Sequence, residues 1–381
     1  MAFLRNRSIN WLNLHSGIQA LAQGMGGLFI LVFLLGAGVS IPESLCAMAL
    51  IFVARFGIRP LVVVSARRFG LKPLVIAGNL IIALQYPVLA EVHGVDGWLL
   101  AYCLTSALGD TFYWTSYHAH FTLLGDSEHR GHQISAGVAL AATVGIVAPL
   151  IGAWALLSVG PRWAFGAVGL VQALAALPIF ATPNVRIPHA APGALRASLP
   201  GVGLAMADGW FAVSYILVWQ IALYHSLGAS LSAYGGAMAL AALVGAVSGL
   251  LLGRHIDAGH GRRAVAIAFS VVAVTLLLRA TSLGTPWLAV AANALGALAS
   301  CLLAPTQGTP IYNLASVSPC ALRFHVAAEG GWDIGCVAGC LTAAALIAHG
   351  AALSSVIPLG FLGLVGEVLL LRRYYLRLRA W

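Results

Sequence analysis

A carboxylate and three aromatic residues lie inside an otherwise apolar stretch of the chain. Asp110, Tyr113, Trp114 and Tyr117 are spaced at i, i+3, i+4 and i+7, so a helix places them on one face. A charged side chain in the middle of a bilayer costs about 2.5–3.5 kcal/mol on insertion scales. The spacing therefore indicates a functional face within a membrane helix, where a solute or a proton binds.

Charged residues interrupt the apolar stretches at four further positions, which are Arg55, Asp208, Glu329 and Asp333. Five such groups facing lipid would cost on the order of 12–17 kcal/mol, more than the stability of a typical protein, so they must face a cavity or one another. Because acids outnumber arginines, we expect at least two acids to bind a proton or a cation. Buried ion pairs that only hold helices together are the alternative. The predicted proton-coupling residues are Asp110, Asp208, Glu329 and Asp333.

Arg55 and two further charged residues are interpreted from their distance to the membrane surface. Arg55 lies about 18 Å along a helix from Arg67, beyond the reach of its side chain, so we expect it to face an interior pathway. Arg59 lies about 12 Å away and is borderline, within that reach. Glu367 precedes a pair of arginines by little more than one turn, so we interpret it as an interfacial ion pair.

Polar and aromatic side chains follow the same helical spacing in other apolar stretches. Phe211 and Tyr215 follow Asp208, and Trp332 lies between the acids at 329 and 333. Aromatic stripes usually serve helix packing, but a stripe that contains a buried acid favours a ligand wall. The predicted substrate-binding residues are Gln19, Gln23, Arg55, Tyr113, Trp114, Tyr117, Phe211, Tyr215, Gln307 and Trp332.

Composition indicates the class of protein that must position these groups. Hydrophobic residues make up 60% of the chain and charged residues 8%, whereas soluble domains carry about a quarter charged residues. This predicts an all-α membrane protein with many spans. The formal net charge is +9, but the basic residues lie in short breaks between apolar stretches, which argues against nucleic acid as a partner. The six cysteines are interpreted as small apolar residues.

Several chemistries have no motif in the sequence. A phosphate-binding glycine-rich loop and the patterns His-Glu-x-x-His, Cys-x-x-Cys and Gly-x-Ser-x-Gly are all missing. Only His15 and His118 are expected within apolar stretches, whereas His325 is placed at a helix end, so metal transport is a minor option. We therefore expect no cofactor, no metal site and no enzymatic activity.

Twelve stretches of about 20 apolar residues are long enough to cross a bilayer. Sixteen basic residues lie in the breaks on one side, and only Arg162 and Arg279 lie on the other, which predicts that both termini are cytoplasmic. The predicted spans are 10–37, 42–65, 73–92, 97–122, 134–158, 162–182, 200–224, 231–255, 264–283, 286–315, 326–348 and 351–371.

A proline-containing polar break divides the chain into two parts of nearly equal length. Residues 1–182 and 199–381 each carry six predicted spans, and residues 183–198 form a cytoplasmic linker. Equal parts suggest an internal repeat, hence two pseudo-symmetric six-helix bundles. We call these parts the N-terminal half and the C-terminal half.

The breaks after spans 2 and 8 are both short, basic and glycine-containing. At these residues the chain resembles the major facilitator superfamily, whose loops carry Gly-x-x-x-Asp-Arg-x-Gly-Arg-Lys there. The first copy has Val63 for the leading glycine and Arg67 for the acid, whereas the second has one extra residue between its acid and its second glycine and matches at Gly253, Asp257, Gly261, Arg262 and Arg263. The loop residues to which the resemblance assigns a conformational gating role are Arg68, Gly70, Lys72, Gly253, Asp257, Gly261 and Arg262.

The resemblance carries three further expectations. Spans 1, 4, 7 and 10 would line a central cavity. The segment 145–152 is an incomplete form of the family's antiporter motif, which would suit export. Spans 8 and 11 would lie where the two halves meet; their glycines at four-residue spacing, which include Gly331, Gly335 and Gly339, are interpreted as tight helix packing, with a hinge role as the alternative.

These observations predict a secondary active transporter that moves a small organic solute by alternating access, coupled to protons and directed towards export. An importer of an anionic solute anchored by Arg55 is the close alternative. A membrane enzyme whose carboxylates act as acid and base, and a sensor without transport, are the others. The expected partners are a small molecule, protons and the lipid bilayer, for a monomer in a bacterial-type inner membrane.

Overall fold

The computed structural model describes residues 6–126, 129–256 and 261–378. Helices account for all the regular secondary structure in these ranges, and strands are not found among them. Each helix overlaps one predicted span, and the seventh helix begins at Ala194, within the segment predicted as the linker. They are α1 Arg7–Gly36, α2 Ile41–Phe69, α3 Leu71–Leu89, α4 Gly97–Leu124, α5 His132–Ser158, α6 Pro161–Ala181, α7 Ala194–Ser226, α8 Leu231–Ile256, α9 Gly261–Thr281, α10 Pro286–Ser316, α11 Ala321–Ala348 and α12 Leu353–Leu376.

Within the described ranges, ten of these helices are long and apolar enough to cross a membrane. The other two are α4, which carries Asp110 and several hydroxyl and imidazole side chains, and α9, whose apolar part is limited to Val265–Thr281. The structure thus confirms an all-α membrane protein. That all twelve helices cross, that both termini are cytoplasmic and that the halves form separate bundles stay predictions.

Local sequence explains how the helices that carry the buried charges begin. Ser40 and Glu43 form a capping box at the start of α2, in which the Ser40 backbone N–H donates to Glu43 Oε2 at 2.8 Å. Asp96 caps α4 by accepting a hydrogen bond from the Leu99 N–H at 2.8 Å. These caps fix the starting points of α2 and α4, and with them the depth of Arg55 and Asp110.

The helix α7 contains a π-helical segment, Val213–Val218. Such a segment disturbs the regular hydrogen-bond ladder, and the Tyr215 carbonyl accepts a hydrogen bond from Arg279 Nη1 at 2.6 Å. The Arg279 guanidinium also lies over the rings of Tyr215 and Trp219, at 4.1 and 4.7 Å. Arg279 was predicted to flank the membrane, but it is buried between α7, α9 and α10. The count of basic residues on the two sides of the membrane therefore includes one arginine that does not face water.

The three glycines at four-residue spacing in α11 pack against α7, whereas Gly330 lies beside Phe56 of α2. A Cβ on Gly335 would lie 2.1 Å from the Met206 carbonyl oxygen, and Gly331 and Gly339 also face α7. Such tight packing is what this glycine spacing predicts, and α11 also contacts α2 of the N-terminal half. Because the opposite side of α11 faces α2, the small residues bring α7 close behind the helix that carries Glu329 and Asp333.

The predicted linker wraps along the end of α2. Gly70 has a φ of +84°, and a Cβ there would lie 2.3 Å from Asn184 Oδ1, so only glycine fits. Lys72 Nζ donates to the carbonyls of Phe180 and Thr182 at 2.7 and 2.9 Å, and Arg68 lies over the Phe69 ring.

One carbonyl of this linker also contacts both halves. The His189 carbonyl accepts hydrogen bonds from Arg67 at 2.5 Å and from Arg323 at 2.8 Å. In the corresponding loop after α8, Asp257 lies outside the described residues. Gly253, Gly261 and Arg262 are described only as helical backbone. The gating role of both loops stays a prediction.

Candidate functional site

A cavity of about 700 Å³ lies between helices of the two halves. As expected, α1, α4, α7 and α10 line it, and α2 and α11 contribute as well. The predicted residues that reach its wall are Gln23, Arg55, Asp110, Trp114, Asp208, Gln307, Glu329 and Trp332. A volume of this size is typical of small-molecule sites.

Beside this cavity, two arginines and three acids form a cluster that joins α2 and α4 to α11. We call Arg55, Arg59, Asp110, Glu329 and Asp333 the arginine cluster. Arg55 lies 3.6 Å from Asp110, 3.2 Å from Glu329 and 3.1 Å from Asp333. Arg59 lies 2.6 Å from Asp333 and 3.5 Å from Glu329, and donates to Thr115 Oγ1 at 2.8 Å. These contacts tie the two halves together.

Arg59, borderline from its distance to the membrane surface, does not reach that surface. It is 2% exposed and belongs to the arginine cluster. The linear distance to Arg67 permits a reach to the surface, but Arg59 lies on the side of α2 that faces α11, where Asp333 binds it.

Within the arginine cluster, Asp110 and Glu329 are more exposed to the cavity than the two arginines. The side chains of Asp110 and Glu329 are 24% and 18% exposed, whereas those of Arg55 and Arg59 are 5% and 3% exposed. Arg55 is further covered by the rings of Phe52 and Trp332, at 5.6 and 5.2 Å. The charge that the cluster presents to a solute is therefore negative.

A second pair of acids lies within the C-terminal half. We call Asp208 on α7 and Glu367 on α12 the carboxylate pair. The Gln307 side-chain amide from α10 lies between them: Nε2 is 3.5 Å from Asp208 Oδ1 and also contacts Glu367 Oε2. Among the described residues, neither acid has an arginine, lysine or histidine partner within ion-pair distance.

The interpretation of Glu367 as an interfacial ion pair is wrong. Its residue is 1% exposed, and its Oε1 atom has no hydrogen-bond partner among the described residues. The arginines that follow along the chain lie on another face of α12, because Glu367 points towards Gln307 and Asp208.

Several predicted substrate-binding residues lie behind the cavity wall. Tyr113 Oη donates to Gln19 Oε1 at 2.7 Å and contacts His15 Nε2 at 2.6 Å, and Tyr117 Oη lies 2.7 Å from Ser16 Oγ. These contacts pack α4 against α1. The aromatic stripe of α4 is wider than the side of the helix that faces the cavity. Gln19, Tyr113 and Tyr117 are therefore not in the cavity wall.

Phe211 and Tyr215 of α7 likewise do not line the cavity. Their rings stack at 4.7 Å, and Tyr215 Oη donates to the Gly296 carbonyl at 3.1 Å. Asp333 is fully buried behind Arg55 and Arg59. The substrate and proton roles predicted for these residues would have to be indirect.

Four residues that are not among the predicted site residues bridge the halves at one end of the cavity. His118 Nδ1 lies 2.6 Å from Tyr312 Oη, and its Nε2 lies 3.5 Å from Glu329 Oε1. His325 Nε2 lies 2.8 Å from Thr122 Oγ1, and His325 is buried in α11. The signal was present, since His118 follows Trp114 by four residues and His325 precedes Glu329 by four.

Comparison with known proteins supports one fold. No protein-family profile matches the chain, and no curated protein matches it. Among solved structures, it is similar to the human organic anion transporter MFSD10 (TETRAN), with 18% identity, a TM-score of 0.70 and coverage of 96% of this chain and 99% of that one. It is also similar to FucP, a major facilitator superfamily transporter in the outward conformation, with 14% identity, a TM-score of 0.67 and coverage of 96% and 97%. The chain therefore has the fold of the major facilitator superfamily transporters.

Proposed function

We propose that this protein is a secondary active transporter that moves a small organic solute by alternating access. The observation that carries the proposal is the cavity between the two halves, with contacts between the halves at both of its ends. At one end His118 and Thr122 meet Tyr312 and His325. At the other end, the Tyr234 hydroxyl of α8 donates to the Leu28 carbonyl of α1 at 3.1 Å. Breaking one set while keeping the other would open the cavity to one side only.

Proton coupling is the second part of the proposal. Asp110, Asp208 and Glu329 line the cavity, and protonation of a carboxylate lowers the cost of closing an apolar space around it. A proton that binds one conformation more tightly than the other shifts the equilibrium between them. The pH gradient would then drive the solute.

Export is the proposed direction. It is supported by the resemblance of residues 145–152 to the antiporter motif and by the acidic and aromatic lining, which includes Asp110 and Trp114. Solute extrusion from cells or uptake into inside-out vesicles would agree with export, whereas net uptake into intact cells would contradict it.

The test of function is flux in proteoliposomes. We expect that an imposed pH gradient drives accumulation of a solute from a mixed panel, and that dissipating the gradient abolishes it. Vesicles without protein are one control, and the exposed variant Glu91→Gln is the other. Saturable binding without flux would instead indicate a sensor, and chemical conversion of the solute would indicate an enzyme.

An importer of an organic anion is the second candidate. Two observations favour it: Arg55 reaches the cavity wall, and the similar MFSD10 is named as an organic anion transporter. The geometry around Arg55 opposes it, because its guanidinium already has three carboxylate partners and two covering rings. An anion would have to displace one of these carboxylates. Flux of anions alone would support this candidate.

A further inference from the structure

The carboxylate pair has no cationic partner among the described residues, whereas the three acids of the arginine cluster share two guanidinium groups. Glu367 is buried and Asp208 is half-buried in the cavity wall. Two carboxylates near one another repel, and removing them from water without a cation is costly. Asp208 and Glu367 interact electrostatically, and they share Gln307 as a neutral bridge. A carboxamide supplies hydrogen bonds but no charge, so the pair still requires one positive group.

The carboxylate pair also lacks one hydrogen-bond donor. The Gln307 amide has two N–H groups, and Nε2 already contacts one oxygen of each acid. Glu367 Oε1 therefore lacks a donor, although it is buried. An unmet acceptor on a buried carboxylate keeps its full desolvation penalty. What is missing at this site is a donor that also carries positive charge.

The site is accessible from the cavity. Asp208 and Gln307 both belong to the cavity wall, and Glu367 lies directly behind Gln307. The other titratable groups that face Asp208 come from α11: Glu329, which is acidic, and Cys336, whose Sγ donates to the Gly209 carbonyl. No described cation on these packed helices reaches the pair, so the missing positive group must arrive through the cavity.

Two ligands meet these requirements, and both are positive donors. A proton supplies one O–H between the two acids. The ammonium group of an organic cation supplies N–H donors, and its apolar body would lie against Trp332, Ile311 and Ala205 in the cavity wall. The cavity also presents Asp110 and Glu329, so an anion meets repulsion there.

We propose that the carboxylate pair is a single site that binds either one proton or the ammonium group of an organic monocation. Arrival of the ammonium group at Asp208 and Glu367 releases the shared proton to water, and departure of the cation lets a proton return. The charge of the occupied site stays the same in both states. This inference rests on the proposed transport function, for which it names the substrate class and the exchange site.

The experiment measures proton release when a cation binds to the purified protein. Three probes of similar size are 2-phenylethylammonium, neutral 2-phenylethanol and anionic 3-phenylpropanoate. In weakly buffered solution near neutral pH, we expect the ammonium probe to bind and to release about one proton per molecule bound. Binding of this probe without proton release, preference for the anion, or lack of ammonium binding would overturn the proposal.

Two variants locate the released proton. Glu367→Gln and Asp208→Asn should each abolish proton release and weaken binding of the ammonium probe by at least about tenfold. Glu91→Gln, outside the membrane helices, should change neither. Infrared difference spectra provide a readout that needs no probe: the parent should show a buried carboxylic acid band that Glu367→Gln removes. A parent without that band, or a band that persists in both variants, would overturn the proposal.

Flux separates this inference from the proposed function. Proton-driven transport of neutral or anionic solutes, with no ammonium-dependent proton release, would overturn the exchange site and leave transport intact. Ammonium-dependent proton release without flux of any solute would support the site and contradict the transport function.

Discussion

The arginine cluster and the carboxylate pair are both acidic and buried, but they differ in what balances their charge. The three acids of the cluster share two guanidinium groups and join α2 and α4 to α11 across the two halves. The two acids of the pair share one carboxamide and remain within the C-terminal half. Removing a guanidinium group from the cluster leaves a buried carboxylate without its partner, whereas neutralising one acid of a pair that has no cation relieves repulsion. The same kind of substitution should therefore have opposite effects at the two sites.

The largest effect is expected for Arg59→Leu. It removes both Arg59 contacts to Asp333 and the hydrogen bond to Thr115. Loss of one partner of a buried ion pair costs about 3–5 kcal/mol, which thermal unfolding of the purified protein in detergent would detect. The double variant Arg59→Leu with Asp333→Leu should recover much of the loss. A single variant as stable as the parent would contradict the assignment of this cluster as a tie between the halves.

Next in size is Gly335→Ala, which tests the spacing between the helices that carry the two acidic sites. The added methyl group meets the Met206 carbonyl and pushes α7 away from α11, at a cost of about 1–3 kcal/mol. Gly166→Ala is the matched control, because a Cβ there meets nothing within 4 Å, and alanine is the better helix former. Equal unfolding temperatures for the two variants would contradict close packing at Gly335.

Glu367→Gln is expected to leave stability unchanged or to raise it by up to about 1 kcal/mol, since it removes a buried charge without a cation. Gln307 still contacts a polar side chain of the same shape. Thermal unfolding at neutral pH measures the difference. A loss as large as that of Arg59→Leu would show that the carboxylate pair is a structural tie like the arginine cluster.

The smallest effect is expected at an exposed pair, Arg162 and Glu91, whose two parallel contacts measure 2.9 and 2.8 Å. The hydrogen bond from Arg162 lowers the pKa of Glu91 below its usual value of 4.5. The stability that this ion pair contributes is therefore present above pH 4.5. It is lost as the pH falls through the lowered pKa of Glu91 in the folded state. Arg162→Ala should shift the unfolding temperature by about 1 °C or less at neutral pH. A large shift there would weaken the contrast between exposed and buried charges.

Hydropathy and helical spacing were sufficient for the helices and for part of the site. The apolar runs fix the helix positions, and the four-residue step from Asp110 to Trp114 identifies the face of α4 that reaches the cavity. The same spacing cannot say how wide that face is, so Tyr113 and Tyr117 were included although they pack against α1.

Two interpretations of charged residues rest on the same assumption. Arg59 and Glu367 were interpreted from their neighbours along the chain, Arg67 in one case and two following arginines in the other. Their partners are Asp333 on α11 and Gln307 on α10, which are distant in sequence. Helix rotation and tertiary pairing decide such contacts, and a single sequence does not contain them.

The shared carboxylate site has an electrical consequence. Exchange of one monovalent cation for one proton leaves the site with the same charge when it faces either side. A membrane potential does about 2.3 kcal/mol of work per elementary charge per 100 mV, but only on the net charge that crosses the membrane. With a one-for-one exchange at Asp208 and Glu367, the potential contributes nothing to the cycle. The concentration gradients of the proton and of the cation then supply the whole driving force.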